Sequence, residues 1–502
     1  MRSIFFALAA AGAVALSLYN LSESEAGLVV ERLHIGDTPV TMRRSADRPL
    51  APAIVIAHGF SGSQQLMAPI ATTLARNGYV AVTFDFSGHG RNLMPMPGGL
   101  AKLETSTAAL LKDIDEVVRF ARDQPWSDGR IALVGHSMAT DLVVGYARRD
   151  PQIAAIAALS FFGEGVTRDQ PKNLLIIDGA WESQRLIEAG ARVVSQAAGG
   201  AAQAGVTYGD IADGTGRRLA IAGGVEHIGV LYSRDAIAEI LNWMNAVFGR
   251  SDAGDIDARG PWLALLFAGL IAMMRPLAQL LPRVSPVPLG AGLPWRRFAP
   301  IAIAPALLTP LILWKAPTDF LPILLGDYLV VHLAVYGAIL FAGLWLAQGG
   351  WPVFRPQRWK PLLVAAAALA ALYTLVLGAP LDAYVISYLP TGVRARLIPV
   401  MFIGCALYFL ADEWLTRGPG TAPGGYLFSK FCFIASLGVA VALNPRRLFF
   451  LVIIAIVIVI LLTVYGLVGR WVYARTRDPR VGALGAAFGL AWALAVTFPI
   501  VD

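Results

Sequence analysis

Cysteine occurs only twice in 502 residues, at Cys405 and Cys432, and both lie inside apolar runs. Two such residues build neither a disulfide framework nor a thiolate metal site, so the redox compartment has to be read from topology. Charge is scarce as well: Asp, Glu, Lys and Arg make up 15% of the chain, against about 25% in soluble domains. There is no H-E-x-x-H motif and no phosphate-binding glycine loop after the first strand-like run, which argues against zinc-protease and kinase chemistry. What the chain has instead is apolar: 56% hydrophobic residues before its 50 glycines are counted, and a mean hydropathy of +0.60. That balance excludes a disordered chain, a coiled coil and an ordinary cytosolic enzyme. It points to a protein that is, at least in part, integral to a membrane.

The formal net charge of +7 is unevenly spread. Residues 21–260 carry 22 Lys+Arg and 27 Asp+Glu, and the rest of the chain carries 19 and 7. The basic excess therefore sits in the hydrophobic half, where it marks cytoplasmic loops rather than a phosphate-binding face. Nucleic acid is not an expected partner.

The chain divides into segments that obey different rules. Residues 1–26 combine a basic start, an apolar run from Ile4 to Tyr19 and a polar stretch through Glu25. This is either a cleavable signal peptide or an uncleaved signal anchor, and both place the next segment outside the cytoplasm. Residues 27–249 alternate short strand-like runs with amphipathic helical ones. The strand-like runs are Leu28–Leu33, Ala53–Ala57, Tyr79–Phe84, Ile131–Val134, Ile153–Leu159, Leu174–Ile177 and Arg218–Ala222. Such alternation predicts an α/β domain whose parallel sheet is covered by helices on both faces. After a charged linker at 250–260, residues 261–502 form a series of apolar segments that predicts an all-α domain of about eight transmembrane helices. Loops that would lie inside carry twelve basic residues, among them Arg355 and Lys430, against five in loops that would lie outside. The asymmetry follows the positive-inside rule.

The segment Ile131-Ala-Leu-Val-Gly-His-Ser137-Met-Ala139 runs from a strand pattern into a helical one. A serine on so tight a turn needs small residues two before and two after it, here Gly135 and Ala139. A buried serine at a helix N-cap is the plainer alternative. Upstream stand Ala53-Ile-Val-Ile-Ala-His58-Gly59-Phe60 and Asp85-Phe-Ser-Gly88-His89-Gly90. These motifs resemble the α/β-hydrolase superfamily over about residues 28–249, with Ala139 replacing the commoner second glycine.

The resemblance implies that Ser137 is the nucleophile and that the backbone N–H groups of Phe60 and Met138 form an oxyanion hole. Of the six histidines, His34, His58, His89, His136, His227 and His332, it is His227 that follows the last strand and precedes the last helix, the family's position for the base. Glu182 falls on the triad acid, with Asp178 at the strand end as runner-up. Asp85 and His89 shape the rim of the site. The stretch between Ile153–Leu159 and Leu174–Ile177 is too short for a large cap, and Met94 and Met96 could line an apolar entrance. No metal or organic cofactor is expected.

The implied function is a membrane-bound serine hydrolase acting on a small-molecule or lipid acyl substrate, with its hydrolase domain outside the cytoplasm. Competing readings are an acyltransferase, and a transporter or lipid-handling membrane protein with an accessory domain. For the latter, Asp327, His332 and Asp382 are the candidates, since ionisable groups in a membrane are costly. The pair Gly485 and Gly489 makes one G-x-x-x-G helix-packing signal. The oligomeric state is left open.

Overall fold

The computed structural model describes residues 2–47, 50–163, 165–250, 254–350 and 358–502. Residues 251–253 of the linker, and Arg355 of the loop tally, lie outside them. The chain forms two units, an α/β unit (Ala15–Leu265, Leu381–Ser387 and Pro499–Asp502) and a helical unit (Met1–Val14, Leu266–Pro380 and Tyr388–Phe498).

After helix α1 (Arg2–Glu23), strand β1 (Leu28–Ile35) turns through Gly36 into β2 (Thr38–Ser45). β2 is a strand that the sequence reading lacks, because Pro39, Thr41, Arg43 and Arg44 interrupt its apolar pattern. β1 and β2 pair in antiparallel fashion, and so do β2 and β4 (Val80–Phe84). The sheet therefore differs from the expected parallel one by a mixed edge. Its interior is parallel and consists of β3 (Ala51–Ala57), β4 (Val80–Phe84), β5 (Ser127–His136), β6 (Ile153–Leu159), β7 (Leu174–Gly179) and β9 (Arg217–Ala222). A two-residue β8 (Thr207–Tyr208) closes the far edge, giving the order β1-β2-β4-β3-β5-β6-β7-β9-β8.

Both faces are covered, as the near-continuous apolar strands require. Helices α2 (Ala68–Arg76) and α6 (Arg234–Phe248) bury Ile70, Leu74, Ile240 and Met244 against Ile54, Val134, Ala157 and Ile177. Each fully buried side chain of this size contributes about 1.5–3 kcal/mol. Helices α3 (Leu103–Arg122), α4 (Met138–Arg149) and α5 (Gln184–Ala198) pack on the strands as well. Gly190 of α5 lies against Ile176 and Leu219, on the face opposite Ile177 and Ala220. Ser233 caps α6 by accepting from the Ala236 N–H, and Gly249 ends it with φ +66, the left-handed position that glycine occupies without strain.

Downstream of the linker the chain forms α7 (Gly260–Ala278), α8 (Trp295–Leu313) and α9 (Gly326–Gln348). A π-helical turn at Leu372–Val376 joins α10 (Trp359–Ala371) to α11 (Gly378–Tyr384). There follow α12 (Val393–Leu415), α13 (Gly425–Leu443), the short α14 (Pro445–Leu448), α15 (Phe450–Thr476) and α16 (Pro479–Thr497). Among the described residues nine helices are long and apolar enough to cross a membrane: Ile4–Glu23 and one for each of the eight expected spans.

Small residues let these helices approach closely. Gly404 of α12 faces the Val330 carbonyl of α9, and Gly337 faces the backbone at Leu407. Of the G-x-x-x-G pair, Gly485 meets Leu369 and Gly489 meets Tyr373 and Tyr465. Lys430, expected in a loop, lies inside α13 and pairs with Asp412 of α12, which also accepts a 2.6 Å bond from Ser429 Oγ. Arg417 binds Glu413 at 2.9 Å, and His332 shares a 3.0 Å bond with Ser436.

Candidate active site

The register of the parallel strands determines what meets at their carboxyl ends. Ala57 of β3 lies beside Gly135 of β5, so the turn His58-Gly59-Phe60 comes next to His136-Ser137. Gly179 of β7 lies beside Ala222 of β9, which brings the two following loops together. Trp181 N–H donates to the Val225 carbonyl at 3.0 Å and ties those loops to each other. Ligand sites in open α/β sheets form at this end.

Ser137 has φ 53° and ψ −120°, a strained backbone for a residue with a side chain. Its N–H donates to the Leu159 carbonyl at 2.9 Å, and its carbonyl accepts from Thr140 N–H and Oγ1. A Cβ at Gly135 would stand 2.7 Å from the Ala139 carbonyl oxygen, so only glycine fits there. The Ala139 methyl, by contrast, is fully buried beneath the turn. Gly59 is equally confined, since a Cβ there would stand 3.0 Å from that of Ser137. Phe60 thus follows a residue packed on Ser137, and Met138 is the first residue of α4.

The structure brings three of the expected residues into one hydrogen-bonded line. Ser137 Oγ lies 2.9 Å from His227 Nε2, and His227 Nδ1 lies 2.6 Å from Glu182 Oε1. The other Glu182 oxygen accepts from Gly179 N–H at 2.7 Å, which fixes the carboxylate from behind. Asp178 sits elsewhere: it accepts from Phe161 N–H at 3.1 Å and is fully buried. Burial, reinforced by nearby Glu182, pushes its carboxyl up to about 7. Glu226 closes its own loop by accepting from Ile228 and Gly229 N–H.

Two buried histidines frame the site. His136 Nε2 donates to the His227 carbonyl at 2.9 Å, and burial, with repulsion from His227, depresses its pKa to about 3. His58 Nδ1 donates to the Gly59 carbonyl at 2.8 Å while Nε2 accepts from Phe86 N–H, so it is neutral and its tautomer is fixed. Burial lowers its pKa as well. Asp85 clasps the rim, accepting from the N–H groups of Gln64 and Arg91. Of the expected entrance residues Met94 is exposed. Met96 instead is buried, and its N–H donates to the Ile500 carbonyl at 2.8 Å. Phe162, about half exposed, has its ring centre 6.4 Å from that of His227.

Distant parts of the chain pack on the segments that follow β3 and β4, and no local pattern announces them. Asp382, expected as a membrane-half candidate, belongs to the α/β unit and pairs with Arg91 at 2.5 Å. Its carbonyl accepts from Gln65 Nε2, and Ser387 N–H donates to Ser63 Oγ at 3.0 Å. Ile500 N–H donates to the Gly88 carbonyl at 2.8 Å, and Gly98 N–H to Asp502 at 2.9 Å. The segment that carries Phe60 and the segment from Gly88 to Gly98 are both anchored in this way.

Residues 49–171 match the family Hydrolase_4, described as serine aminopeptidase, S33. No curated protein matches the chain. Among solved structures it is similar to a hypothetical protein from Pseudomonas aeruginosa at 13% identity and TM-score 0.34, covering 44% of this chain and 94% of that one. A CIB-like hydrolase from Thermoplasma acidophilum is similar at 16% identity and TM-score 0.33, with 44% and 98% covered. E-2-(acetamidomethylene)succinate hydrolase is similar at 14% identity and TM-score 0.31, with 44% and 99% covered. The α/β unit thus contains a segment, residues 49–171, that is similar to an α/β-hydrolase family, and the apolar helices are consistent with a membrane domain.

Proposed function

We propose that the protein is a membrane-bound serine hydrolase that cleaves an ester or related acyl bond. The observation that carries this reading is the line from Ser137 Oγ through His227 Nε2 and Nδ1 to Glu182, on a strained turn at the carboxyl ends of the strands. His227 takes the Ser137 proton as Oγ attacks the acyl carbon, and Glu182 orients the imidazole and balances its charge. The Phe60 and Met138 N–H groups receive the oxyanion, an interaction worth a few kcal/mol per donor. The protonated His227 then delivers its proton to the departing alkoxide. Water, deprotonated by the same His227, attacks the acyl carbon, and the acyl–Oγ bond breaks as His227 returns the proton to Ser137 and the acid leaves.

Phe162 beside His227 favours an apolar acyl group. The connection between β6 and β7 is too short to carry a large cap. The charge asymmetry of the loops favours a hydrolase domain facing away from the cytoplasm. Labelling of the detergent-solubilised protein by a fluorophosphonate probe tests the reading. Wild type is expected to label, and Ser137→Ala and His227→Ala are not. Failure of folded wild type to label would overturn it.

A further inference from the structure

Away from Ser137, the mixed edge of the sheet carries a cavity of about 370 Å³. It is lined by Arg32, His34, Arg43, Gln64, Arg91 and Asp382, among others. The strand register builds one wall. Arg32 of β1 lies opposite Thr41 of β2 and His34 opposite Pro39, so alternate residues of both strands share that face with Arg43. Three arginines thus line a single cavity with one carboxylate, Asp382, which is already engaged by Arg91.

Arg43 is the unusual member. Its side chain is only 9% exposed, and its Nε donates to Glu25 at 2.9 Å. Its Nη1 is buried and finds no acceptor among the described residues. Burial lowers its pKa, and the charges of Arg259 and Arg32 add to that against the opposing pull of Glu25. Two guanidinium groups on one wall, each a planar fork of donors, suit an anion with several oxygens. The volume falls in the range of small-molecule sites and exceeds what a bare ion fills.

We propose that this cavity binds a phosphate-type oxyanion carried on a small organic group, held by Arg32 and Arg43. The other wall comes from Gln64 and Gln65, which follow Phe60 in the same loop, so the occupant rests against the segment that leads to the candidate active site. The site does not depend on the hydrolase reading, since none of its residues belongs to the Ser137–His227–Glu182 line.

The test is isothermal titration calorimetry of the full chain in phosphate-free detergent with glycerol 3-phosphate, against sodium chloride of equal ionic strength. In parallel, thermal unfolding is followed in phosphatidylcholine nanodiscs with and without phosphatidylglycerol. Saturable binding of glycerol 3-phosphate to wild type, weakened at least tenfold by Arg32→Gln and by Arg43→Lys, supports a soluble phosphate ligand. Arg43→Lys keeps a cation for Glu25 but removes the guanidinium fork, so the variant reports on the site rather than on folding. A rise in unfolding temperature with phosphatidylglycerol that both variants lose, without soluble binding, supports a lipid headgroup. Absence of both responses in wild type overturns the proposal, and so does binding that both variants retain.

Discussion

Two regions of this molecule bury a carboxylate against a nitrogen base, and they finish the arrangement differently. In the α/β unit Glu182, 3% exposed, holds His227, which is 19% exposed. The far nitrogen of that imidazole faces Ser137 on a backbone forced to positive φ. In the helical unit Asp412 holds Lys430, and Ser429 and the Tyr408 hydroxyl take up bonding positions around the pair. The second group closes on itself among helices. The first ends in a hydroxyl with a further step to take. Burial and charge pairing are common to both, so neither identifies a site. The strained turn and the open end make the difference.

The largest expected effect breaks the first region alone. Ser137→Ala and His227→Ala should each lower acyl hydrolysis by about 10⁴-fold or more, measured as kcat/KM on a chromogenic ester. Glu182→Gln should cost about 10³–10⁴-fold, whereas Asp178→Asn, which removes no bond to His227, should stay within about tenfold of wild type. In the second region Lys430→Met leaves Asp412 buried without its cation. Thermal unfolding in detergent should then report a loss of about 3–5 kcal/mol, with a milder loss in the Lys430→Met, Asp412→Leu double variant.

Gly135→Ala should cost about 1–3 kcal/mol of domain stability, because the added methyl meets the Ala139 carbonyl. The smallest test is of pH. The folded domain holds Asp178 protonated up to about pH 7, against an ordinary value of 3.8. This contribution to stability is complete below the ordinary value and is lost as pH rises toward the folded one. Asp178→Asn should flatten that slope in unfolding curves taken from acid to neutral pH.

The interior of the sheet was legible because parallel strands buried on both faces read as unbroken apolar runs. β2 was not, because an edge strand keeps polar residues, and Pro39 and two arginines hide its alternation. Ser137, Glu182 and His227 stood at strand ends, where spacing along the chain tracks position in space. Asp382 was misplaced because its partner, Arg91, is 291 residues away. Lys430 read as a loop charge because its neighbour Asp412 lies on another helix, 18 residues earlier. Local pattern carries the elements, and long-range pairing of polar groups stays invisible to it.

The rim anchors have a consequence for how the domain comes into being. Gly98 waits for a carboxylate 404 residues downstream, and Arg91 for one 291 residues downstream. During synthesis the three residues Ser137, Glu182 and His227 leave the ribosome well before either anchor exists. A nascent chain, or a fragment ending near Leu265, therefore holds these three residues without the two downstream anchors. The α/β unit is therefore complete only once residues 381–387 and 499–502 have been made.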